Sequence, residues 1–381
     1  MASLRETDVF VIGGGPAGLA AAIAARKTGL NVTVADGSAP PIEKPCGEGM
    51  MPEALTALHS LGVQFEPQEG KPFRGISFIQ EDGHVSADFP NGQGLGVRRP
   101  LLHERLIIEA EKCGVCFLWR TPVIGLESTT IQLSYGTIRS RWIVGADGQG
   151  SRVRQWTGLG RRSSFKPHAK QRYASRRHFR LKPWSNYMEI HWGSRSQAYV
   201  TPVGSEEICV AVTAETTQDA AFDVALTAMP SLQEKLAGAQ LSSRERGAVT
   251  VMRSLRRVYK NNVALLGDAS GGVDAITGEG LRLAFRQAFA LAEALVANDL
   301  AQYQQAHQTL LRGPMLMGHL MLWLGRNPLV RERTLRVMQS HPHLFARILA
   351  AHAGPGTPAE LLSTSAQLGL RVLAVSARMA T

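Results

Sequence analysis

"DVFVIGGGPAGLAAAIAARKTGLNVTVAD", residues 8–36, holds a strand, a turn, a helix and a second strand. Residues 8–12 are a short apolar run, the pattern of a parallel strand buried on both faces. Gly13, Gly15 and Gly18 follow in G-x-G-x-x-G spacing, and Pro16 and Ala17 begin an alanine-rich helix that reaches Thr28. Gly29 stops the helix, and a β-branched strand over 31–35 ends at Asp36. Each part has a physical task. Gly13 makes the tight turn, Gly15 lets a pyrophosphate approach the backbone, and Gly18 lets helix and strand pack closely. The helix N-terminus offers free N–H groups and partial positive charge to phosphates. Asp36 is placed to accept hydrogen bonds from ribose hydroxyls. The unit predicts dinucleotide binding without separating NAD from FAD.

Two further segments repeat the theme. In "NVALLGDASGGVDAITGEGLRLAFRQAFALAEAL", residues 262–295, an apolar strand ends in Gly267-Asp268, and Gly278-Glu279-Gly280 starts a long amphipathic helix. Asp268 suits the ribityl chain of a flavin. The second helix N-terminus would place N–H groups and positive potential at the pyrimidine end, where reduced flavin is negative. In "RWIVGADGQGSRVRQWTG", residues 141–158, a strand ends in Gly145-Ala146-Asp147-Gly148, followed by Ser151 and Arg154. Alone, this segment reads as a strand and an ordinary Asp-Gly turn.

In this order the three motifs resemble the FAD-dependent aromatic hydroxylase superfamily (group A flavoprotein monooxygenases) and its geranylgeranyl reductase-like relatives. The match covers about residues 8–300. It includes "GVRRPLLHERLIIEAEKCGV", 96–115, which resembles the Arg-x-x-Leu-x-x-x-Leu helix start of that family. The resemblance implies FAD as cofactor and NAD(P)H as electron donor. It implies Arg99 near the ribityl or phosphate region, the Val123 backbone near adenine, and Asp147 serving both FAD and the nicotinamide donor. It also implies an α/β chain, α+β overall. A Rossmann-like FAD-binding domain would come from 1–70, 96–160 and 255–300. An inserted antiparallel β-sheet substrate domain would come from 71–95 and 161–254, and a helical C-terminal cap and tail from 301–381. One departure stands out. The family usually has proline, as in "DPxTGEG", where this chain reads Asp274-Ala275-Ile276-Thr277-Gly278-Glu279-Gly280. Without the proline a less pre-set, more mobile loop is expected.

Residues 75–90 alternate around an Asp-Gly turn and predict a hairpin, and 185–215 predict two or three antiparallel strands. Such a sheet would cover the flavin. Met188, Ile190, Trp192, Tyr199 and Pro202 are candidate substrate-lining residues, each equally readable as core packing. "YVTPVG" matches the family's proline segment facing the flavin, which singles out Pro202. Helices are expected over about 301–312, 315–325, 328–340 and 342–352, and residues 353–381 are left unassigned.

"KPCGEGMMP", residues 44–52, leaves the second strand where chain of this fold crosses the flavin. Cys46 has no cysteine partner before Cys113, which excludes a two-thiol relay, and no metal site is expected. Cys46 and Gly47 are read as small residues against the cofactor. Met50 and Met51 would face an apolar substrate, and Glu48 would handle protons. Glu189 and His191 are the other candidate catalytic groups. Cys113 and Cys116 are read as two small buried residues where a helix turns into a strand.

The chain has 381 residues, 44% hydrophobic and 19% charged, ordinary values for a globular protein. The formal charge is +11, and eleven Lys/Arg with no acid fall between Arg152 and Lys182. That stretch is either a solvated basic face or an attractor for an anion: a dinucleotide phosphate, an acidic carrier protein or a membrane surface. No helix-turn-helix, RNP-like or zinc-knuckle pattern supports nucleic acid. The apolar run "MLMGHLMLWLG", 315–325, is too short to span a bilayer. A cytoplasmic protein is expected, with the basic stretch allowing peripheral membrane association.

Three readings remain open. In the first, NAD(P)H reduces FAD, O2 then gives a flavin C4a-hydroperoxide, and this transfers oxygen to a lipophilic aromatic or polyketide-like substrate of secondary metabolism. In the second, the protein reduces isolated double bonds, as in the geranylgeranyl reductase-like branch. "PCGEG" resembles that branch's loop, but "QAYVTPV" stands where it has YxWxFP. A halogenase is disfavoured, because the Trp-x-Trp-x-Ile-Pro motif is missing. The third is an FAD-binding partner protein without chemistry, against which the Asp-Gly motif speaks.

Overall fold

Five short apolar strands lie side by side in the computed structural model, which describes residues 6–80, 83–160, 171–353 and 358–378. Their order is Val263–Leu265, Gly136–Gly145, Glu6–Ile12, Val32–Ala35 and Cys116–Leu118, all parallel. Val9, Val11, Val34 and Val144 are fully buried against helices, and Phe10, Ile12 and Ile143 on the other face pack against the strands Val123–Glu127 and Thr130–Leu133 and a short helix. These helices include α1 (Pro16–Lys27), α2 (Pro52–Ser60), α3 (Arg99–Lys112) and α4 (Arg152–Thr157). The alanines of α1 bury almost all of their surface in the same core as Phe285, Ala288 and Leu291. Cys113 and Cys116 fall where α3 turns into a strand, as expected, but both are half-buried.

A second sheet is ordered Gln171–Arg180, Glu207–Ala214, Ser196–Gly204, Met188–Trp192, Gly75–Gln80, Gly83–Asp88. It is antiparallel except where Met188–Trp192 meets Gly75–Gln80, which is a parallel pairing. Helices α5 (Phe222–Thr227) and α6 (Pro230–Leu236) cover one face. The C-terminal helices cover part of the other.

After α7 (Gly280–Val296), the two helices expected over 301–312 and 315–325 are one, α8 (Leu300–Arg326), with Pro314 inside it. Leu311, Pro314, Met317, Gly318 and Met321 are buried at helical spacing, so one apolar stripe carries the helix through the proline. Then follow α9 (Pro328–Ser340), α10 (Pro342–Ala353) and α11 (Pro358–Arg378), the last in the stretch the sequence left unassigned. No helix among the described residues is long and apolar enough to cross a membrane.

The basic stretch is not a uniform solvated face where it is described. Arg172 pairs with Asp274, Arg176 with Glu43 and Glu48, and Arg177 with Asp223 and Glu245. Local charge counting misses acids that fold in from distant parts of the chain. Arg161, Arg162, Lys166 and Lys170 lie outside the described residues.

Candidate active site

The three glycine-rich motifs converge at the C-terminal ends of the parallel strands. A Cβ built on Gly18 would lie 1.9 Å from Gly13 O, and one on Gly13 2.4 Å from Ala146 O. Both positions serve the packing of the protein against itself. Gly15 differs: a Cβ there would meet nothing within 4 Å. Gly15 is the N-cap of α1 and offers no side chain, so the helix's first N–H groups face open space. Asp36 Oδ2 accepts from Gly14 N at 2.8 Å and Oδ1 from Ser38 N at 2.7 Å. Thr121 N donates to Asp36 O at 2.8 Å, which brings Val123 to the same end of the sheet. Buried His103 accepts from Ile42 N at Nδ1, so Nε2 carries the proton it donates to Gly14 O at 2.8 Å.

Asp147 Oδ2 accepts from Arg152 N and Val153 N at 2.7 and 3.2 Å, so it caps α4. Its Oδ1 is buried with no partner among the described residues, as is Arg99 Nε. Arg154, buried in α4, donates to Ala269 O at 2.9 Å and so ties the Asp-Gly turn to the Gly267-Asp268 turn. Gly267 has φ +61°, and its N donates to Gln287 of α7 at 2.9 Å. Asp268 Oδ2 is 2.8 Å from Lys44 Nζ, which joins that turn to the 44–52 loop. Glu279 caps α7 without a side-chain hydrogen bond to the helix backbone, and a Cβ on Gly280 or Gly47 would meet nothing within 4 Å. Open helix N-termini, empty space over Gly15, Gly47 and Gly280, and the orphaned Asp147 and Arg99 atoms fit FAD. Gly15 and Arg99 would hold its phosphates, Asp36 its ribose, Asp268 its ribityl chain, and Gly278–Gly280 its pyrimidine end.

The 44–52 loop is clamped rather than free. Glu48 has φ +59° and is 2% exposed. Its Oε1 accepts from Arg99 N and Arg176 Nη1, each at 2.9 Å, and its Oε2 lies 2.7 Å from His178 Nε2. His178 Nδ1 lies 2.6 Å from Ser243 Oγ. Glu48, His178 and Cys209 carry metal-type donor atoms within 4.8 Å of one another, a cluster invisible to sequence spacing. Burial pushes the Cys209 thiol well up, and both Glu48 oxygens are committed, so the donor set is already spent on the protein. Cys46 Sγ accepts from Glu48 N at 3.4 Å. Met50 lies in the core beneath the parallel sheet, not at the expected substrate surface. Its neighbour Met51 packs into the second core, because successive residues of extended chain point to opposite sides.

A cavity of about 490 Å³ lies between the second sheet and helices α8 to α11. Met188, Ile190, Trp192 and Tyr199 all line it, and Ile276–Gly278 closes one end. Pro202, although buried, lies beside Gly96 and is not in the lining. Glu189 and His191 alternate with the lining residues and so occupy the other face of the strand, contrary to their expected role as cavity bases. There Glu189 binds His191 at 2.9 Å and Trp184 at 3.0 Å. Burial pushes the Glu189 carboxyl up, but His191, Trp184 and Lys235 together hold it below the usual range.

The sequence reading missed His352. It lines the cavity from α10, with Nε2 3.1 Å from Thr277 O and Nδ1 3.5 Å from Glu279 Oε1. Glu279 also pairs with Arg282, which binds Glu53 at 2.5 Å. One signal was available: Leu344, Phe345, Ile348, Leu349 and His352 share one helical face, so this histidine continues a buried stripe. The loop without proline is also held. Asp274 Oδ1 accepts from Arg172 Nη1 and Ile276 N, Ala275 N donates to Thr250, and Tyr199 OH donates to Ile276 O.

Residues 6–312 match the family model described as FAD binding domain. The chain is 28% identical over 325 residues to menaquinone reductase of Mycobacterium tuberculosis, covering 78% of each chain. It is 25% identical over 300 residues to digeranylgeranylglycerophospholipid reductase 1 of Methanothermobacter thermautotrophicus, covering 73% of this chain and 74% of the relative. Its fold is shared with the flavin-dependent brominase Bmp2, with TM-score 0.79 and 18% identity, over 96% of this chain and 100% of that one.

Proposed function

The chain belongs to the FAD binding domain family, and we propose that it is an NAD(P)H-dependent monooxygenase hydroxylating a lipophilic aromatic compound. The cavity carries this reading. Aliphatic, aromatic and methionine side chains make most of its wall, and among the described residues no carboxylate lines it. FAD, when bound, supplies the redox chemistry. The chain binds and orients the substrate, excludes water and handles one proton. Ring hydroxylation of a phenol is helped by an acceptor for the hydroxyl proton. His352 is the imidazole at the end of the cavity formed by Thr277 and Gly278. With Nε2–H donated to Thr277 O, Nδ1 is left as the acceptor nitrogen, 3.5 Å from Glu279 Oε1.

A second reading, reduction of an isolated double bond, draws on the two reductases named above. Saturation needs a proton donor for the second carbon. The cavity's phenol, Tyr199, already donates to Ile276 O, and burial pushes its ionisation far up. That makes Tyr199 a poor donor and leaves His352 as the group that would supply the proton in this reading. The test is purified holoprotein with NADPH or NADH and a long-chain alkylphenol under labelled oxygen. Label in a hydroxylated product supports the monooxygenase. Oxygen-independent NAD(P)H consumption with a saturated polyprenyl product, and no label in any phenol, overturns it in favour of the reductase.

A further inference from the structure

Arg331 lines the same cavity from α9 and is 6% exposed. Among the described residues its guanidinium meets only the Gly325 and Gly193 carbonyl oxygens, at 3.4 and 3.3 Å, and the Trp192 ring, 5.1 Å to the centroid. Its Nε has no hydrogen-bond partner, and among the described residues no carboxylate lies within ion-pairing distance. Arg172 is matched by Asp274, Arg176 by Glu43 and Glu48, and Arg282 by Glu53 and Glu279. Buried Arg154, which makes no ion pair among the described residues either, donates to the Ala269 and Gln149 carbonyls at 2.9 and 2.5 Å, closer than either carbonyl contact of Arg331. An isolated buried charge is costly, and two long carbonyl contacts and a ring face compensate it only in part.

The arginine sits far from the flavin end. Met188 abuts the 44–52 loop, since a Cβ on Gly49 would lie 2.8 Å from its sulfur. Trp192 is four residues further along the same strand, roughly 13 Å at about 3.3 Å per residue. Resting on the reading of this cavity as the substrate site, we propose that Arg331 receives an anionic head group of the substrate. The substrate is then an acidic lipophile, with a carboxylate or phosphate at Arg331 and the reacting carbon near Thr277 and His352. An extended chain spans that distance in about ten bonds, at roughly 1.2 Å per bond.

The experiment measures equilibrium binding of laurate, dodecyl phosphate and dodecanol to the holoprotein by calorimetry, with no nicotinamide or turnover. Because no reaction is monitored, failure of the hydroxylation reading leaves this result readable. Laurate or dodecyl phosphate should bind about tenfold or more tightly than dodecanol, and whichever anion wins identifies the head group. Arg331→Met should abolish that preference while changing dodecanol affinity by less than about twofold, and Arg331→Lys should keep part of it. Equal binding of all three ligands by the unaltered protein overturns the proposal, whether or not the variants fold. Equal weakening of all three by Arg331→Met also overturns it, leaving Arg331 a packing residue between α9 and the sheet.

Discussion

Arg172 Nη1 lies 2.7 Å from Asp274 Oδ1, and both side chains are buried. The pair fastens the second sheet to the loop ahead of Gly278, the place where a proline would otherwise stiffen the chain. The loop is therefore held by an ion pair and hydrogen bonds spread over distant sequence, not by local backbone restriction.

Asp274→Ala removes that fastening and leaves Arg172 buried without its anion. Breaking a buried pair from one side costs about 3–5 kcal/mol. A lower melting temperature and faster flavin release are expected, read from thermal denaturation and flavin fluorescence. A variant that melts with the parent and keeps its flavin equally well would show that the loop is held by other contacts.

Gly15 and Gly18 separate ligand space from packing space. Gly15→Ala places a methyl where the protein has no atom within 4 Å, so the apoprotein should fold as before. FAD affinity should fall at least tenfold, because the methyl takes the phosphates' approach. Gly18→Ala drives a Cβ into Gly13 O and should destabilise the fold even without cofactor. Calorimetric titration with FAD and melting of both apoproteins decide this. Unchanged FAD affinity in Gly15→Ala would place the phosphates elsewhere.

These cases show what the sequence could disclose. The strand–glycine–helix unit at 8–36 was legible because turn, cap and strand period are local properties. The parity of Met188, Ile190, Trp192 and Tyr199 was legible as alternation, but not which face Glu189 and His191 would take. Arg172 with Asp274, and Arg176 with Glu48, lie more than a hundred residues apart, and no local pattern pairs them. The single helix through Pro314 followed from burial of its stripe, which a propensity rule for proline cannot foresee.

His307 of α8 is buried and lies 2.9 Å from Ser270, whose hydroxyl donates to Gly267 O. Burial lowers its pKa from 6.5 to about 4. The unfolded chain binds this proton near pH 6.5 and the folded chain only near 4. The stabilising contribution is thus full above about 6.5 and is lost progressively as the pH falls towards 4, by about 3 kcal/mol. His307→Gln removes that titration. Denaturant midpoints measured between pH 7 and 4 should fall more steeply for the parent than for the variant, and parallel curves would contradict this.

Cys46 contributes a weak acceptor for Glu48 N, a part that a serine hydroxyl can fill. Cys46→Ser should therefore keep its flavin and retain turnover within a few-fold of the parent. Complete loss of turnover with flavin still bound would reveal chemistry at the thiol.

His352→Ala tests the proton acceptor directly. The side chain is removed from the cavity wall, while Gly13–Gly18, Arg99 and Asp147 are untouched. Flavin content is measured alongside, because His352 meets Thr277 O and Glu279 at the turn expected to hold the pyrimidine end, and turnover is read per bound flavin. With an alkylphenol that is neutral at the assay pH, hydroxylation should fall by about 10² or more, the scale of a lost general base. NAD(P)H oxidation should persist as peroxide release, so the ratio of product to NAD(P)H consumed should collapse. A ring-fluorinated alkylphenol, already largely ionised at alkaline pH, no longer needs the base and should recover most of the lost rate. A merely structural role for His352 would depress both substrates alike. That outcome, measured as product formed per NAD(P)H across pH 6 to 9, would remove His352 from the chemistry and leave it as the contact between α10 and Thr277.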